Sequence, residues 1–284
     1  MKKTFFCFFY FLQSILYGGP ILKVSSFDEL PRVFAKLNPL QTFVFLDVDD
    51  LVLSPKSSLG SVSWFKEMKN MLLQHDLTDE QSSYVRSEVW DFGLRHTSFY
   101  PPSESLMDAL RYLKSREFPI LGVTRRSISF ASTLPLYLSS IGCDFASVLP
   151  SFLRISHFLS AKDPKSAWTQ GVLFVGPLSI SEAIERFVLN VSIPVRSTVC
   201  ISLDSEFLNE CHNFFSKKKT SNISLLLKAE SKSDERMEDA EAQLLSLTLS
   251  PTDEEIRQTQ KFDISHTRKD ILKKMRDIWN LCSG

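Results

Sequence analysis

Apolar runs and amphipathic segments alternate along most of this chain, and their alternation predicts its secondary structure. Strands that are covered on both faces of a sheet carry continuous apolar and β-branched residues rather than an in-out alternation. Runs of this kind predict strands at residues 42–46, 118–123, 171–175, 197–202 and 223–228.

Helical patterns fall between these strands, at residues 27–37, 64–74, 78–94, 103–116, 181–189 and 206–215. In the helix at 103–116, Ser103 is the predicted N-cap, and Leu106, Leu110 and Leu113 share one face. A chain that repeats strand and then helix builds a parallel sheet with helices on its faces. The predicted fold class is therefore α/β, with a doubly wound parallel sheet.

The first 19 residues have the order of a secretory signal peptide. Lys2 and Lys3 precede an apolar run at 4–12, and a more polar end with small residues follows. The apolar run is shorter than the ~20 residues that a membrane span needs. We predict an exported protein, periplasmic or secreted, with no membrane span after cleavage. The alternative is an uncleaved N-terminal helix, amphipathic or buried.

The chain of 284 residues suits one domain with an insertion, or two small domains. We predict a core formed by residues 20–52 and 117–228. Residues 53–116 would form a small helical cap insertion. Residues 229–284 would form a charged linker followed by C-terminal helices.

Charge and cysteine content narrow the possible partners. Lys plus Arg and Asp plus Glu number 33 each, so the formal net charge is zero. This balance gives no electrostatic case for nucleic acid or an anionic membrane surface as a partner. No cysteine pair has CxxC spacing, so the sequence supports neither a zinc knuckle nor a thioredoxin-type site. Buried free thiols are predicted, with a bridge between Cys200 and Cys211 as the alternative.

Three acids, Asp47, Asp49 and Asp50, follow the first buried strand directly. Unpaired carboxylates in such a place repel one another and lose hydration, so a cation or a reaction is needed to offset that loss. Strand alternation predicts that Asp47 and Asp49 point into one site. One carboxylate can then attack phosphorus or bind a divalent cation, and the other can act as general acid and base. The alternative is a solvated loop or a helix N-cap.

The second buried strand runs into Thr124, Arg125 and Arg126. A hydroxyl, two cations and the free N–H groups of a helix start all favour a bound phosphate. The alternative is that Thr124 only caps the helix after it.

The run FVFLDVDDLVL resembles the first motif of the haloacid dehalogenase-like (HAD) phosphohydrolases, and the strand that ends at Thr124 is similar to their second motif. The segments LGSVSWF, FPILGVTRR and IGCDF further resemble an uncharacterised exported bacterial HAD-like family, a domain of unknown function. The resemblance covers roughly residues 39–211.

The resemblance implies an enzyme, a phosphatase-like hydrolase acting on a small phosphorylated substrate. Asp47 would form an aspartyl-phosphate, and Asp49 would protonate the leaving alcohol and then activate water. Thr124 and Arg125 would bind the phosphoryl group. The implied cofactor is Mg²⁺, held by Asp47, Asp49 and Asp204.

Three departures from the family pattern support a second hypothesis. Leu51 stands where the family usually has Thr, and Ile180 falls near the place of the third-motif Lys. Asp204 is an acid in a shifted register, with Glu206 as a weaker second. Lys162, Lys165 and Arg186 are the cations that the fold would have to bring in as substitutes. The alternative function is a catalytically impaired HAD-like pseudoenzyme that serves as an exported binding module with a protein partner.

Overall fold

The structure is a computed structural model that describes residues 21–56, 60–73, 86, 89–91, 93–95, 97–150, 153, 157–158, 166–176, 178–191, 196–217 and 221–227. The predicted signal peptide, most of the predicted helix at 78–94 and the predicted C-terminal helices lie outside these residues. Among the residues described, no helix is both long and apolar enough to cross a bilayer.

The described residues divide into two compact units. The larger unit contains the described residues up to Leu53 and those within Pro101–Glu230, and the smaller contains the described residues within Ser54–Tyr100. The strands are β1 Ile21–Val24, β2 Thr42–Asp47, β3 Ser54–Pro55, β4 Phe99–Tyr100, β5 Ile120–Thr124, β6 His157–Phe158, β7 Ala167–Thr169, β8 Val172–Phe174, β9 Ser197–Ser202 and β10 Ser221–Leu227. The helices are α1 Leu30–Phe34, α2 Val62–Leu73, α3 Glu104–Ser115, α4 Leu134–Ser140, α5 Ile180–Val191 and α6 Ser205–Lys217.

The larger unit is built on an eight-stranded sheet with the order β1-β10-β9-β2-β5-β8-β7-β6. Along the sheet, each pair of neighbours from β1 at one edge as far as β8 is parallel. At the other edge, β7 pairs antiparallel with β8, and β6 pairs antiparallel with β7. The chain moves from β2 outward to β5 and β8, and then returns to the other side of β2 to form β9 and β10. The protein is therefore an α/β protein with a mostly parallel central sheet.

The five predicted strands are present, but three further strands of this sheet, β1, β6 and β7, are not predictable from apolar runs alone. Each is only two to four residues long. Strand β1 includes Lys23 and pairs with β10 along its whole length, so tertiary pairing rather than local pattern makes it a strand. The helix predicted at 27–37 is instead a 3-10 turn at Phe27–Glu29 followed by α1. Pro31 lies in the first turn of α1, where its missing N–H needs no partner.

The smaller unit contains β3 and β4, which pair antiparallel, and helix α2. Trp90 is fully buried there and donates from Nε1 to the carbonyl of Gly60 at 2.8 Å. Its ring packs on Phe65 with centroids 4.6 Å apart.

The core of the larger unit packs against one face of β2. All six residues of β2 are buried, and Phe43 and Phe45 join an aromatic cluster with side chains from α5 and α6. The ring of Phe45 lies 5.2 Å from that of Phe43, 6.4 Å from Phe187 and 5.6 Å from Phe215. This packing holds β2 in the centre of the sheet and fixes where its carboxyl end lies.

The three described cysteines, Cys143, Cys200 and Cys211, are free and buried, as predicted. Burial raises the pKa of Cys143 to about 11, so this thiol stays protonated at neutral pH.

We expect Phe45→Ala to lower the free energy of unfolding by about 3–5 kcal/mol, because it removes a fully buried ring and leaves a cavity in the aromatic cluster. Denaturant unfolding measures this change. Leu40→Ala is the control, since Leu40 is 88% exposed and its truncation should change the free energy by less than about 0.5 kcal/mol. Equal losses in the two variants would contradict the assignment of β2 to the core.

Candidate active site

Three neighbouring strands end in polar side chains at the same edge of the sheet. Strand β2 ends at Asp47, β5 at Thr124 and β9 at Ser202. The pairing of Asp47 with Val123 and of Leu46 with Ile201 places these ends side by side. In open parallel sheets, ligand sites lie beyond the carboxyl ends of the strands where the strand order reverses. The central strand β2 is that place in this sheet.

A tight turn after β2 brings Asp49 back to this edge. The carbonyl of Val48 accepts from the N–H groups of Val52 and Leu53 at 3.2 and 2.9 Å. Asp50 lies within the turn at a φ of 61°, a left-handed conformation that Asp tolerates better than most residues. The N–H of Asp49 donates to Oδ1 of Asp47 at 3.2 Å. The two acids share one site as predicted, although the turn rather than strand alternation places the second.

The carboxylate of Asp49 is held on both oxygens. It accepts from the Thr124 hydroxyl at 2.9 and 3.0 Å, from the Arg125 backbone N–H at 2.8 Å and from Nε of Arg126 at 3.0 Å. The side chains of Arg126 and Asp49 are only 3% and 2% exposed, so this is a buried ion pair. The donors of the second predicted motif therefore bind a carboxylate of the protein itself.

The second acid, Asp47, is buried and has a different environment. Its Oδ2 accepts from the Ser202 hydroxyl at 2.5 Å. Burial raises the pKa of Asp47 well above the ordinary value, and the charges of Asp49 and Asp204 raise it further. The Arg125 guanidinium and the Ser202 hydrogen bond act in the opposite direction. Arg125 is therefore the cation that most favours the ionised form of Asp47.

Arg125 connects the end of β5 to Asp204. Its Nη2 donates to Oδ2 of Asp204 at 2.8 Å, and the two side chains are 10% and 14% exposed. Burial by itself would lower the pKa of Arg125, but the carboxylates of Asp47 and Asp204 outweigh it and raise the pKa. The other terminal nitrogen, Nη1, is buried and has no hydrogen-bond partner in the described part of the chain.

Asp204 also begins the last helix of this unit. Its Oδ1 accepts from the Glu206 N–H at 3.0 Å in the first turn of α6, and its own N–H donates to Oγ of Ser202 at 2.8 Å. Ser202 thus links Asp204 to Asp47. The weaker predicted acid, Glu206, is exposed on α6.

The three acids do not offer a ready metal site. Both oxygens of Asp49 are taken by donors, and Asp204 is paired with Arg125 and caps α6. Within the residues that the structure describes, no three acidic, histidine or cysteine side chains are grouped so that they could hold a metal ion. The Mg²⁺ site at Asp47, Asp49 and Asp204 stays a prediction from the resemblance, and these side-chain arrangements do not fit it.

Of the predicted substitute cations, only Arg186 lies within the described residues. Arg186 pairs with Glu182 at 2.6 Å along α5, while Lys162 and Lys165 lie outside the described residues. The sequence reasoning missed the roles of Ser202 and Arg126. Both follow from position, since Ser202 ends a predicted strand at the same sheet edge and Arg126 is two residues beyond another.

A family model described as "Protein of unknown function (DUF2608)" matches residues 23–258 of the chain. The chain belongs to the DUF2608 family. No curated protein matches it. The match spans the whole site of this DUF2608 member, including all the acids and arginines described above.

In this DUF2608 member, we expect Asp47→Asn to raise the free energy of unfolding at pH 7. Because burial raises the pKa of Asp47 on folding, the folded protein keeps the carboxyl proton only at pH values between the unfolded and the folded pKa, where the unfolded chain has already released it. Above both pKa values the cost of ionising the buried carboxyl remains in full. Stability therefore falls as pH rises from the unfolded value, about 4, toward the folded one. The Asn side chain does not ionise, so the gain in the free energy of unfolding over wild type should shrink as the pH is lowered toward 4. Denaturant unfolding at several pH values measures this difference. The control Asp108→Asn should keep the wild-type dependence of the free energy of unfolding on pH.

We expect Arg126→Met to lower the free energy of unfolding by about 3–5 kcal/mol, because it leaves the buried carboxylate of Asp49 without its cation. Arg111→Met is the matched control, since the Arg111–Asp108 pair is 64% and 65% exposed and should contribute less than about 1 kcal/mol. Adding Asp49→Asn should restore much of the loss in Arg126→Met. A similar loss in Arg126→Met and Arg111→Met would contradict a larger contribution of the buried pair to stability.

Proposed function

We propose that this protein is a phosphohydrolase that acts on a small phosphomonoester, with Asp47 as the nucleophile. The observation that carries the proposal is the position of Asp47. It ends the buried central strand, has a second carboxylate two residues away and lies in the electrostatic field of the Arg125 guanidinium. A nucleophilic carboxylate next to an acid and a cation is the arrangement that phosphoryl transfer through an aspartyl-phosphate requires.

In the proposed reaction, a carboxylate oxygen of Asp47 attacks phosphorus and the bond from phosphorus to the leaving oxygen breaks. Asp49 in its protonated form gives its proton to that oxygen. A water molecule then attacks the aspartyl-phosphate, loses a proton to Asp49, and restores free Asp47 and inorganic phosphate. Asp49 must release at least one of its present donors to do this, since both its oxygens are occupied.

The finer fold assignment is part of the same proposal. We propose a HAD-like core with a doubly wound sheet, a cap formed within residues 53–116, and export through the N-terminal signal peptide. The resemblance of FVFLDVDDLVL and FPILGVTRR to the family motifs supports this assignment. The resemblance also implies Mg²⁺, but the side chains described above do not fit a metal ion, so no step is assigned to one.

A second candidate function is a non-catalytic binding module with a protein partner. The observation that favours it is the state of Asp49, whose carboxylate takes the Thr124 hydroxyl and the Arg125 N–H that would otherwise hold a phosphoryl group. An acid held in a buried ion pair is poorly suited to give and take protons.

Release of phosphate from an aryl phosphate tests the first candidate. We expect turnover by the wild-type protein and a loss of about three orders of magnitude or more in Asp47→Asn, which removes the attacking oxygen. Asp108→Asn, the same exchange at an exposed position, should keep wild-type activity. Equal turnover in wild type and Asp47→Asn would contradict the proposal. No turnover by a folded wild-type protein on a panel of phosphomonoesters would favour the binding module.

A further inference from the structure

At the sheet edge, three described acids, Asp47, Asp49 and Asp204, share two arginines. Arg126 is committed to Asp49 in a buried ion pair, and Arg125 is paired with Asp204. The third acid, Asp47, has a hydroxyl and an N–H as hydrogen-bond partners but no ion pair among the described residues. Within the described part of the chain, Arg125 therefore acts on two carboxylates, on Asp204 by contact and on Asp47 through its electrostatic field.

Arg125 also has a terminal nitrogen, Nη1, that has no hydrogen-bond acceptor in the described chain. A guanidinium carries five N–H donors in a planar fork, which suits the oxygens of a phosphoryl group. Its side chain is nine-tenths buried, being 10% exposed, yet Nη1 meets no acceptor within the described chain. Buried donors are nearly always satisfied, so an unsatisfied one calls for an explanation. An oxygen of a bound anion would supply the missing acceptor.

Three further donors described at this sheet edge already have acceptors. The Thr124 hydroxyl and the Arg125 backbone N–H both donate to Asp49, and the Arg126 N–H donates to Thr124 Oγ1 at 3.2 Å. Of the donors named here, only the Arg125 guanidinium has an N–H without an acceptor in the described chain, and it is the one left for a ligand that binds without rearranging Asp49.

A divalent cation and Arg125 would compete for the same carboxylates. A metal ion bound by Asp47 and Asp204 would have to displace the 2.8 Å contact between Arg125 and Asp204 and accept a positive charge beside it. A guanidinium already in place supplies the charge neutralisation that a metal ion otherwise brings to an anionic substrate.

We propose that Arg125 is the resident cation of this site and takes the place of a divalent metal ion, so that phosphate binds to Nη1 of Arg125 without metal. The identity of the ligand as a phosphoryl group rests on the proposed function. The binding itself does not depend on turnover.

Titration calorimetry with inorganic phosphate tests this proposal on the full chain in EDTA. We expect the wild-type protein to bind phosphate, and Arg125→Gln to lose affinity about tenfold to a hundredfold, the usual effect of one charge-assisted hydrogen bond. Arg125→Lys keeps the charge but not the fork, and should fall between the two. Arg111→Gln, an exposed arginine on α3, is the control and should bind like wild type.

The variant Asp204→Asn separates the two sources of positive charge. It frees Nη2 of Arg125 and removes a negative charge, so phosphate should bind several-fold more tightly in EDTA. If Asp204 instead holds a metal ion, phosphate binding would need Mg²⁺ and this variant would weaken it. That result would overturn the proposal, and it does not depend on Arg125→Gln being folded.

The outcomes also separate this inference from the proposed phosphohydrolase. Wild-type binding in EDTA that is lost in Arg125→Gln supports the inference whether or not the protein hydrolyses any ester. Binding only with Mg²⁺, equal binding in Arg125→Gln, or no binding in either buffer would overturn it. The proposed hydrolase is judged separately, by the turnover of Asp47→Asn.

Discussion

The burial of carboxylates at the end of a central strand is the constraint on which this site depends. Asp47 and Asp49 are 1% and 2% exposed, and such groups are tolerated only when donors and cations surround them. The chain meets this need with the segment after β5, where Thr124 and two arginines follow one another. Two adjacent strand ends therefore carry opposite charges because each stabilises the other.

The larger unit positions these groups through apolar packing that lies away from them. Strand β2 is buried along its whole length, and its rings pack between side chains of α5 and α6. Asp204 directly precedes helix α6 and caps its first turn, so the helix that packs on the core also fixes an acid at the sheet edge. A change in the aromatic cluster would therefore move both Asp47 and the partner of Arg125.

The same contacts support opposite interpretations of the chemistry. A buried carboxyl group in the field of an arginine is compatible with phosphoryl transfer, whereas an acid held by Thr124, Arg125 and Arg126 favours a site that binds without reacting. Both interpretations rest on the same two pairs of the described residues, Arg125 with Asp204 and Arg126 with Asp49. The two interpretations differ in whether Asp49 can give up its present hydrogen-bond donors and take up a proton instead. The free energy of the ion pair between Asp49 and Arg126 decides this.

By itself, the sequence determined the α/β class, the central strand and the acids that follow it, because long apolar runs and their polar ends are local signals. It also placed Thr124 and Asp204 at strand ends. The short strand β1, the turn that returns Asp49 and the pairing of each arginine were decided only by the tertiary structure. Arg125 and Arg126 are neighbours of the same type, and nothing local distinguishes them. Only the relative positions of β5, β9 and the turn after β2 send Arg126 to Asp49 and Arg125 to Asp204.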